Sequence, residues 1–293
     1  MVTGLRMLAF LVFCLVILGG AVRITGAGLA CPDWPMCNGR LVPAFDFRIL
    51  MEWSHRFLAG IVGIGTLIAA IGIFRAPLYR KSLGAAILFA LACLAFQVFL
   101  GAATVWELLS PYIVTLHLAV GYAFFGVFLW MALRAPELSA PGAACDQTSF
   151  GCFQRHAVVA AVVVYLQVIL GGLVSSHAAG IACPDFPMCN GMWIPPMTGL
   201  IPYQFAHRVG ALLTTIIVFI LILRAGKYEM PRRGRIALWF GGILVLMQIV
   251  WGVGLIHSSL ALGMRLIHVA TAISLFAASV ITAYDTCRLH KRS

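Results

Sequence analysis

The segment GGAVRITGAGLACPDWPMCNG at 19–39 recurs as GGLVSSHAAGIACPDFPMCNG at 171–191, with 14 of 21 positions identical. A shared apolar composition does not produce so many identities in so short a window, so the chain consists of two copies of one unit. The register continues downstream, where a histidine, an arginine, a glutamine and a second histidine recur in the same order. The pairs are His55 and His207, Arg56 and Arg208, Gln97 and Gln248, and His117 and His268.

Composition places most of the chain in lipid. Hydrophobic residues make up 62% of the 293 positions and charged residues 10%, which leaves too little polar surface for a soluble globule. A bilayer core of about 30 Å is crossed by roughly 20 apolar residues in a helix, because unpaired backbone is too costly in hydrocarbon. Eight apolar runs predict eight helices, at about 5–22, 55–74, 83–105, 112–133, 157–175, 204–223, 236–256 and 265–284.

The duplication organises these helices as four per unit. An even number returns the chain to its starting side, so both units have one orientation and are expected to be related by a pseudo-two-fold axis along the membrane normal. The predicted fold is all-α, with two four-helix bundles side by side at 1–134 and 156–293 and a cytoplasmic linker at 135–155. Because the first segment recurs in mid-chain, we expect it to be a retained helix and not a cleaved signal peptide.

The net charge of +11 is explained by topology and not by a nucleic-acid partner. With both termini in the cytoplasm, 14 of the 20 Lys and Arg residues lie inside. The long loops at 23–52 and 176–203 are then extracytoplasmic. The six remaining basic residues are Arg23, Arg40, Arg48, Arg56, Arg208 and Arg265.

Four histidines lie at matching depth near the outer ends of their helices. His55 and His117 belong to parallel helices of the first unit, and His207 and His268 repeat them in the second. Two imidazoles that converge inside a bundle form the axial ligand set of a haem iron. Zinc or copper is the other metal that imidazole suggests, although four-ligand zinc sites usually draw on closely spaced residues. The remaining histidines, which lack duplicated partners, are expected at interfaces or in solvent; they are His156, His177, His257 and His290.

Charged residues near the histidines suggest further roles. Four arginines are candidates to pair with haem propionates, with headgroup phosphate as the alternative; they are Arg23, Arg56, Arg208 and Arg265. Glu52 lies three residues before His55 and corresponds to Gln204 in the second unit. Positions three apart share a helix face, so we expect Glu52 to point toward the cavity of His55 as a proton-transferring group. A helix N-terminal acid favoured by the dipole is the structural alternative.

The outer loops each carry a cysteine pair. Two prolines and an Asn-Gly turn favour local disulfides at Cys31–Cys37 and Cys183–Cys189 on the oxidising side. A structural staple and a redox role are equally compatible with them, and copper(I) binding with Met36 or Met188 is a minor alternative. We expect Cys14, Cys93 and Cys287 to be small apolar residues in helices. We expect Cys145 and Cys152, on the reducing cytoplasmic side, to be free thiols.

Taken together, EWSHR at 52–56, the CPDWPMCNG loop, TLH at 115–117, QFAHR at 204–208 and RLIH at 265–268 resemble haem A synthase of the CtaA type across nearly the whole chain. The resemblance implies a plasma-membrane oxidoreductase that converts a methyl group of haem O to the formyl group of haem A. It implies haem O on His55 and His117 as substrate, haem b on His207 and His268 as cofactor, and activity that depends on Glu52, Cys31 and Cys37.

The resemblance also implies partners, among them haem O synthase, an electron carrier and further copies of the chain. The second cysteine pair is a departure from many family members, which leaves the role of the first pair less certain. Three other functions share some of these features: a di-haem cytochrome b linked to quinone, a membrane thiol-disulfide oxidoreductase and a transporter. A cytochrome b would not explain the presence of Glu52, and a thiol-disulfide oxidoreductase would not explain the duplicated histidines. A transporter is not supported, because the sequence predicts no broken helix and no charge at the membrane midplane.

Overall fold

The computed structural model describes residues 1–44, 46–139, 152–286 and 290–291. These residues form eight helices that are long and apolar enough to cross a membrane, as predicted. They are α1 (Val2–Ile24), α2 (Phe47–Arg75), α3 (Pro77–Trp106), α4 (Pro111–Leu138), α5 (Cys152–Ser176), α6 (Ile201–Ala225), α7 (Arg232–His257) and α8 (Leu262–Asp285). Two strands of two residues, β1 (Tyr228–Glu229) and β2 (His290–Lys291), pair antiparallel.

Every helix is longer than the apolar run that predicted it, because backbone hydrogen bonding continues into the polar border. The start of α2 shows the cause: the carboxylate of Asp46 accepts from the N–H groups of Arg48 and Ile49 at 3.0 and 3.3 Å and caps the helix. His55 therefore lies about two turns inside α2 and does not open it. The ends of α4 and α5 also enter the predicted linker at 135–155.

Helix contacts close each unit into a four-membered bundle. In the first unit α1 packs on α2 and α4, and α3 packs on the same two helices. In the second unit α5 packs on α6 and α8, and α7 completes the bundle. The two compact units are Met1–Ala144 and Cys145–Ser293. The pseudo-two-fold axis expected between them stays a prediction. Cys145, predicted as a free thiol, and Cys287, predicted as an apolar helix residue, lie outside the described residues.

The helix surfaces match a lipid environment. Large apolar side chains are exposed along their length, including Phe10 at 65%, Ile64 at 63% and Leu223 at 77%. Contiguous apolar surface on this scale would aggregate in water. Together with the eight spans, it identifies a multi-pass membrane protein.

Candidate functional site

The two histidines of each unit lie close together inside their bundle. His55 on α2 and His117 on α4 are half-buried and near enough for the charge of one to act on the other. The same holds for His207 on α6 and His268 on α8. The structure therefore brings together within each unit the pair of imidazoles that the duplication singled out.

Glycines on the neighbouring helices make room for two of these rings. A Cβ placed on Gly19 of α1 would lie 2.9 Å from Nε2 of His55, closer than real Cβ contacts. A Cβ on Gly171 of α5 would lie 3.1 Å from Cε1 of His207. Both glycines come from the duplicated Gly-Gly that opens the repeat. Their role is to let α1 and α5 approach the imidazoles closely.

The other two histidines are held through their backbones. Nε2 of Gln97 donates to the carbonyl oxygen of His117 at 2.7 Å, and Nε2 of Gln248 donates to that of His268 at 2.8 Å. Among the described residues, Nδ1 of both rings is buried without a hydrogen-bond partner. An unsatisfied buried group of this kind costs about 1–3 kcal/mol. The same orphaned nitrogen at both duplicated positions leaves each ring with a polar group that a bound ligand could engage.

The donor set fits a haem iron better than a zinc ion. Two imidazoles from separate helices, beside close-approach glycines, are what an axially ligated haem requires. Zinc in proteins almost always takes three or four protein ligands. In the described part of the chain, no group of three or more His, Cys, Asp and Glu side chains could hold a metal ion.

Each outer loop is closed by the local disulfide that its cysteine spacing predicts, Cys31–Cys37 or Cys183–Cys189. In the first loop Asn38 and Gly39 have φ of 53° and 69°, which is the pattern of a two-residue hairpin turn. The flanking N–H and C=O groups of Cys37 and Arg40 exchange hydrogen bonds at 3.1 Å across this turn. The Asn-Gly signal in the sequence therefore marks the turn that returns the chain beside the disulfide.

An aspartate closes the same turn from inside the loop. The carboxylate of Asp33 accepts from the N–H groups of Asn38 at 2.6 Å and Gly39 at 2.7 Å. Asp185 makes the same bonds in the second loop, at 2.6 and 2.7 Å. The N–H of Gly39 is the main cause that holds the pKa of Asp33 below its ordinary value, and the N–H of Gly191 does the same for Asp185.

The arginine after each first histidine fixes the loop to its helix. Nη1 of Arg56 donates to the carbonyls of Asp33 and Met36 at 2.6 and 2.7 Å, and Nη2 donates to the carbonyl of Cys31 at 2.9 Å. In the second unit Arg208 donates to the matching carbonyls of Met188 and Cys183. The sequence suggested haem propionates or lipid headgroup phosphates as partners of these guanidinium groups, and not the loop carbonyls. Both arginines are duplicated together with the loop, and this is the signal of their structural role. Their contact with propionates stays a prediction.

Glu52 completes the attachment in the first unit alone. Its Oε2 accepts from the backbone N–H of Cys31 at 2.8 Å, and its Oε1 pairs with Arg56. Both oxygens therefore face the disulfide loop, whereas the sequence placed the carboxylate in the cavity of His55. Gln204 holds the equivalent place in the second unit, where its Oε1 is buried without a partner among the described residues.

The remaining predicted residues lie near the helix ends. Arg23 is in the last turn of α1 and Arg265 in the first turn of α8, and their contact with propionates stays a prediction. His177 stacks on Tyr203 with ring centroids 4.1 Å apart, and His257 ends α7 in an exposed position, as expected of interfacial histidines. His156 lies in the first turns of α5 with intermediate exposure, and its Nε2 lies 2.7 Å from Nη1 of Arg224 in an exposed contact.

One residue near the site was missed by sequence reasoning. Nε2 of Gln167 on α5 donates to the carbonyl of His207 at 2.9 Å and lies 3.0 Å from Nδ1 of the same residue. The duplication assigns Leu15 to this place in the first unit. Extending the alignment four residues upstream of Gly19 and Gly171 would have revealed this exchange of leucine for glutamine.

Comparison with known proteins decides the family. A family model described as COX15-CtaA, cytochrome oxidase assembly protein, matches residues 4–280. The chain belongs to the COX15-CtaA family. This confirms the resemblance found in the sequence, and the match covers both units.

Several proteins similar to this chain carry the name Heme A synthase. The chain is 30% identical over 266 residues to the one from Bacillus licheniformis, covering 89% of this chain and 87% of that protein. It is 29% identical over 244 residues to the one from Halalkalibacterium halodurans, with 81% and 80% covered. It is 28% identical over 302 aligned positions to the one from Shewanella oneidensis, with 88% of each covered.

Proposed function

We propose that this chain is a haem A synthase, which oxidises one methyl group of haem O to the formyl group of haem A and uses haem b as its cofactor. Family membership and the names of the similar proteins support the reaction. The observation that carries the proposal is the duplicated pair of imidazoles, one pair inside each bundle. Two pairs provide for two haems, one as substrate and one as cofactor.

The two units take different roles in this proposal. His55 and His117 hold the iron of haem O, and His207 and His268 hold the iron of haem b. The assignment rests on Glu52, because a carboxylate can take up and release protons whereas the amide of Gln204 cannot titrate. When bound, haem b supplies one-electron transfer.

Converting a methyl group to an aldehyde adds the oxygen atom of one water equivalent and releases four protons and four electrons, and the proposed electron carrier is the acceptor of these electrons. The family chemistry is successive hydroxylation of the methyl carbon followed by loss of water. Glu52 lies in the helix turn before His55, and we assign to it the uptake and release of protons at the outer-loop side of the first bundle, where its carboxylate contacts Cys31 and Arg56. The histidines position the substrate, and the bundle walls exclude bulk water from it.

Charge and sulfur chemistry support a proposed setting for the enzyme. We place both termini in the cytoplasm and the disulfide loops outside a plasma membrane. The distribution of Lys and Arg supports this orientation, and disulfides persist in the oxidising compartment. The proposed partners are haem O synthase, which supplies a poorly soluble substrate, an electron carrier, and further copies of the chain.

Pigment extraction from the purified protein tests the proposal. Cells that make haem O are used, and the extracted haems are separated by reversed-phase chromatography. Haem b together with haem O or haem A supports the synthase. Haem b alone contradicts it and favours a di-haem cytochrome, whereas colourless protein favours a thiol-disulfide oxidoreductase built on the two cysteine pairs.

A further inference from the structure

The two units differ by one buried charge close to the candidate haem ligands. Glu52 lies three residues before His55, and Gln204 lies three residues before His207. Both side chains are buried, since the two residues are 5% and 7% exposed. A buried charge is screened far less by salt than an exposed one. The exchange of a carboxylate for an amide therefore changes the electric field at the histidines of the second unit.

No acidic side chain replaces this charge in the second unit. Oε1 of Gln204 and Nε of Arg208, one helical turn apart on α6, are both buried without a hydrogen-bond partner among the described residues. The guanidinium of Arg208 donates to the backbone carbonyls of Met188 and Cys183 at 2.6 and 2.7 Å. In the described part of the chain Arg208 forms no ion pair, whereas its counterpart in the first unit pairs with Glu52. The cation next to His207 is thus not neutralised by a direct contact.

The other charges at the disulfide-loop end of the bundles do not offset this difference. Asp33 and Asp185 act alike on the arginines of their units, and Arg23 and Arg265 provide one further cation each. Four more charges, all exposed, occur in the first unit and cancel: Arg40, Arg48, Asp46 and Glu107. This end of the first unit has four arginines and four acids, and that of the second has two arginines and one acid. Glu52 alone accounts for the excess positive charge of the second unit.

A charge near a haem iron acts on its reduction potential. Ferric haem carries one more positive charge than ferrous haem, so a nearby carboxylate favours the ferric form and lowers the potential. A nearby cation without a neutralising acid has the opposite effect. Glu52 would therefore oppose the reduction of haem held by His55, and Arg208 beside a neutral Gln204 would favour the reduction of haem held by His207.

We propose that the exchange of Glu52 for Gln204 gives haem in the second unit a higher reduction potential than haem in the first. Gln204 acts through its lack of charge and touches no reacting atom. The haem of higher potential is the electron acceptor of the two: it is reduced by one electron as the first unit is oxidised by one, and the proposed electron carrier oxidises it again. This inference rests on the proposed function, because it takes His55 and His207 as haem ligands.

Spectroelectrochemical titration of the full-length protein tests the inference in variants that keep one haem. In a His55→Ala background, Gln204→Glu is expected to lower the midpoint potential of haem in the second unit. In a His207→Ala background, Glu52→Gln is expected to raise that of haem in the first. A tenfold change in the ratio of ferric to ferrous affinity corresponds to about 59 mV for one electron, and shifts of this order are expected. Gln204→Glu copies the first unit, where a glutamate in this place pairs with an arginine and accepts from the loop backbone, so the variant is expected to fold.

Two variants that keep the charge are the matched controls. Gln204→Asn and Glu52→Asp are expected to leave the midpoint potentials in place, because each alters the size of the side chain and not its charge. An unchanged potential in Gln204→Glu or in Glu52→Gln overturns the inference, and so does an equal shift in the control. If a single-histidine background binds no haem, the same variants are titrated in the parent protein. There, Gln204→Glu must move the higher of the two midpoints, and a shift confined to the lower one overturns the inference.

The two proposals fail in different ways. Absence of haem from the parent protein overturns the proposed function. Haem in the parent protein with potentials insensitive to residues 52 and 204 overturns only the electrostatic role of this exchange.

Discussion

The backbone N–H of Cys31 donates to Oε2 of Glu52 over 2.8 Å, although the two residues are 21 positions apart. This bond joins the disulfide loop to the helix turn that precedes His55. The carboxylate is 5% exposed and also pairs with Arg56. A buried carboxylate with two such partners is held in one position. A movement of the Cys31–Cys37 loop or of the helix turn that carries His55 therefore displaces the Glu52 carboxylate.

Glu52→Gln is expected to keep haem binding and to abolish haem A formation. An amide in this place does not prevent the loop from forming, because the second unit has a loop of the same form held by Arg208, although Oε1 of Gln204 accepts no hydrogen bond among the described residues. What is lost is the ability to titrate. Chromatography of haems from cells that express the variant measures the product, and the Soret absorbance per protein measures binding. Normal haem A production by the variant would remove Glu52 from the mechanism.

Gly171→Ala is expected to lower the haem content of the purified protein several-fold. Its Cβ would lie 3.1 Å from Cε1 of His207, so the ring must move from its position. Gly60→Ala is the control, since a Cβ there meets nothing within 4 Å. Alanine favours helix over glycine by about 1 kcal/mol, so neither change is expected to prevent folding. Equal haem content in the two variants would contradict a close approach of α5 to His207.

His207→Ala is expected to remove the haem of the second unit. In the proposed site the variant would lack one of two haem ligands, and a porphyrin held by the remaining imidazole would be exchanged more easily. His257→Ala serves as the comparison, because His257 ends α7 in an exposed position. Haem content is read from the Soret band of each purified protein. A His207→Ala protein with full haem content would overturn the ligand assignment.

The structure differs from the sequence prediction mainly at contacts between distant segments. Helix number and the local disulfides follow from hydropathy and from the spacing of Cys31 and Cys37, which are local properties. The orientation of Glu52 does not follow from local properties of the sequence, because a carboxylate three residues from a histidine can face the cavity or the loop. The bond from Cys31 decides between them. The role of Arg56 likewise depends on loop carbonyls that only the folded chain brings within reach.

The turns beside the disulfides are expected to open in acid. The N–H of Gly39 is the main group that holds the pKa of Asp33 below its ordinary value of about 3.9. The ionised carboxylate therefore stabilises the turn above the ordinary pKa, and this contribution is lost as the pH falls through the lowered, folded value. Amide hydrogen exchange at Asn38 and Gly39 as a function of pH measures the effect. Asp33→Asn, which cannot ionise, is expected to remove this pH dependence.

The guanidinium of Arg56 holds three carbonyls of the loop from Cys31 to Met36. The disulfide is thus one of several interactions that hold the loop in place, and the hydrogen bonds of Arg56 are formed independently of it. We expect a reductant to open the bridge without releasing the loop from α2, because the contacts of Arg56 do not involve the sulfurs.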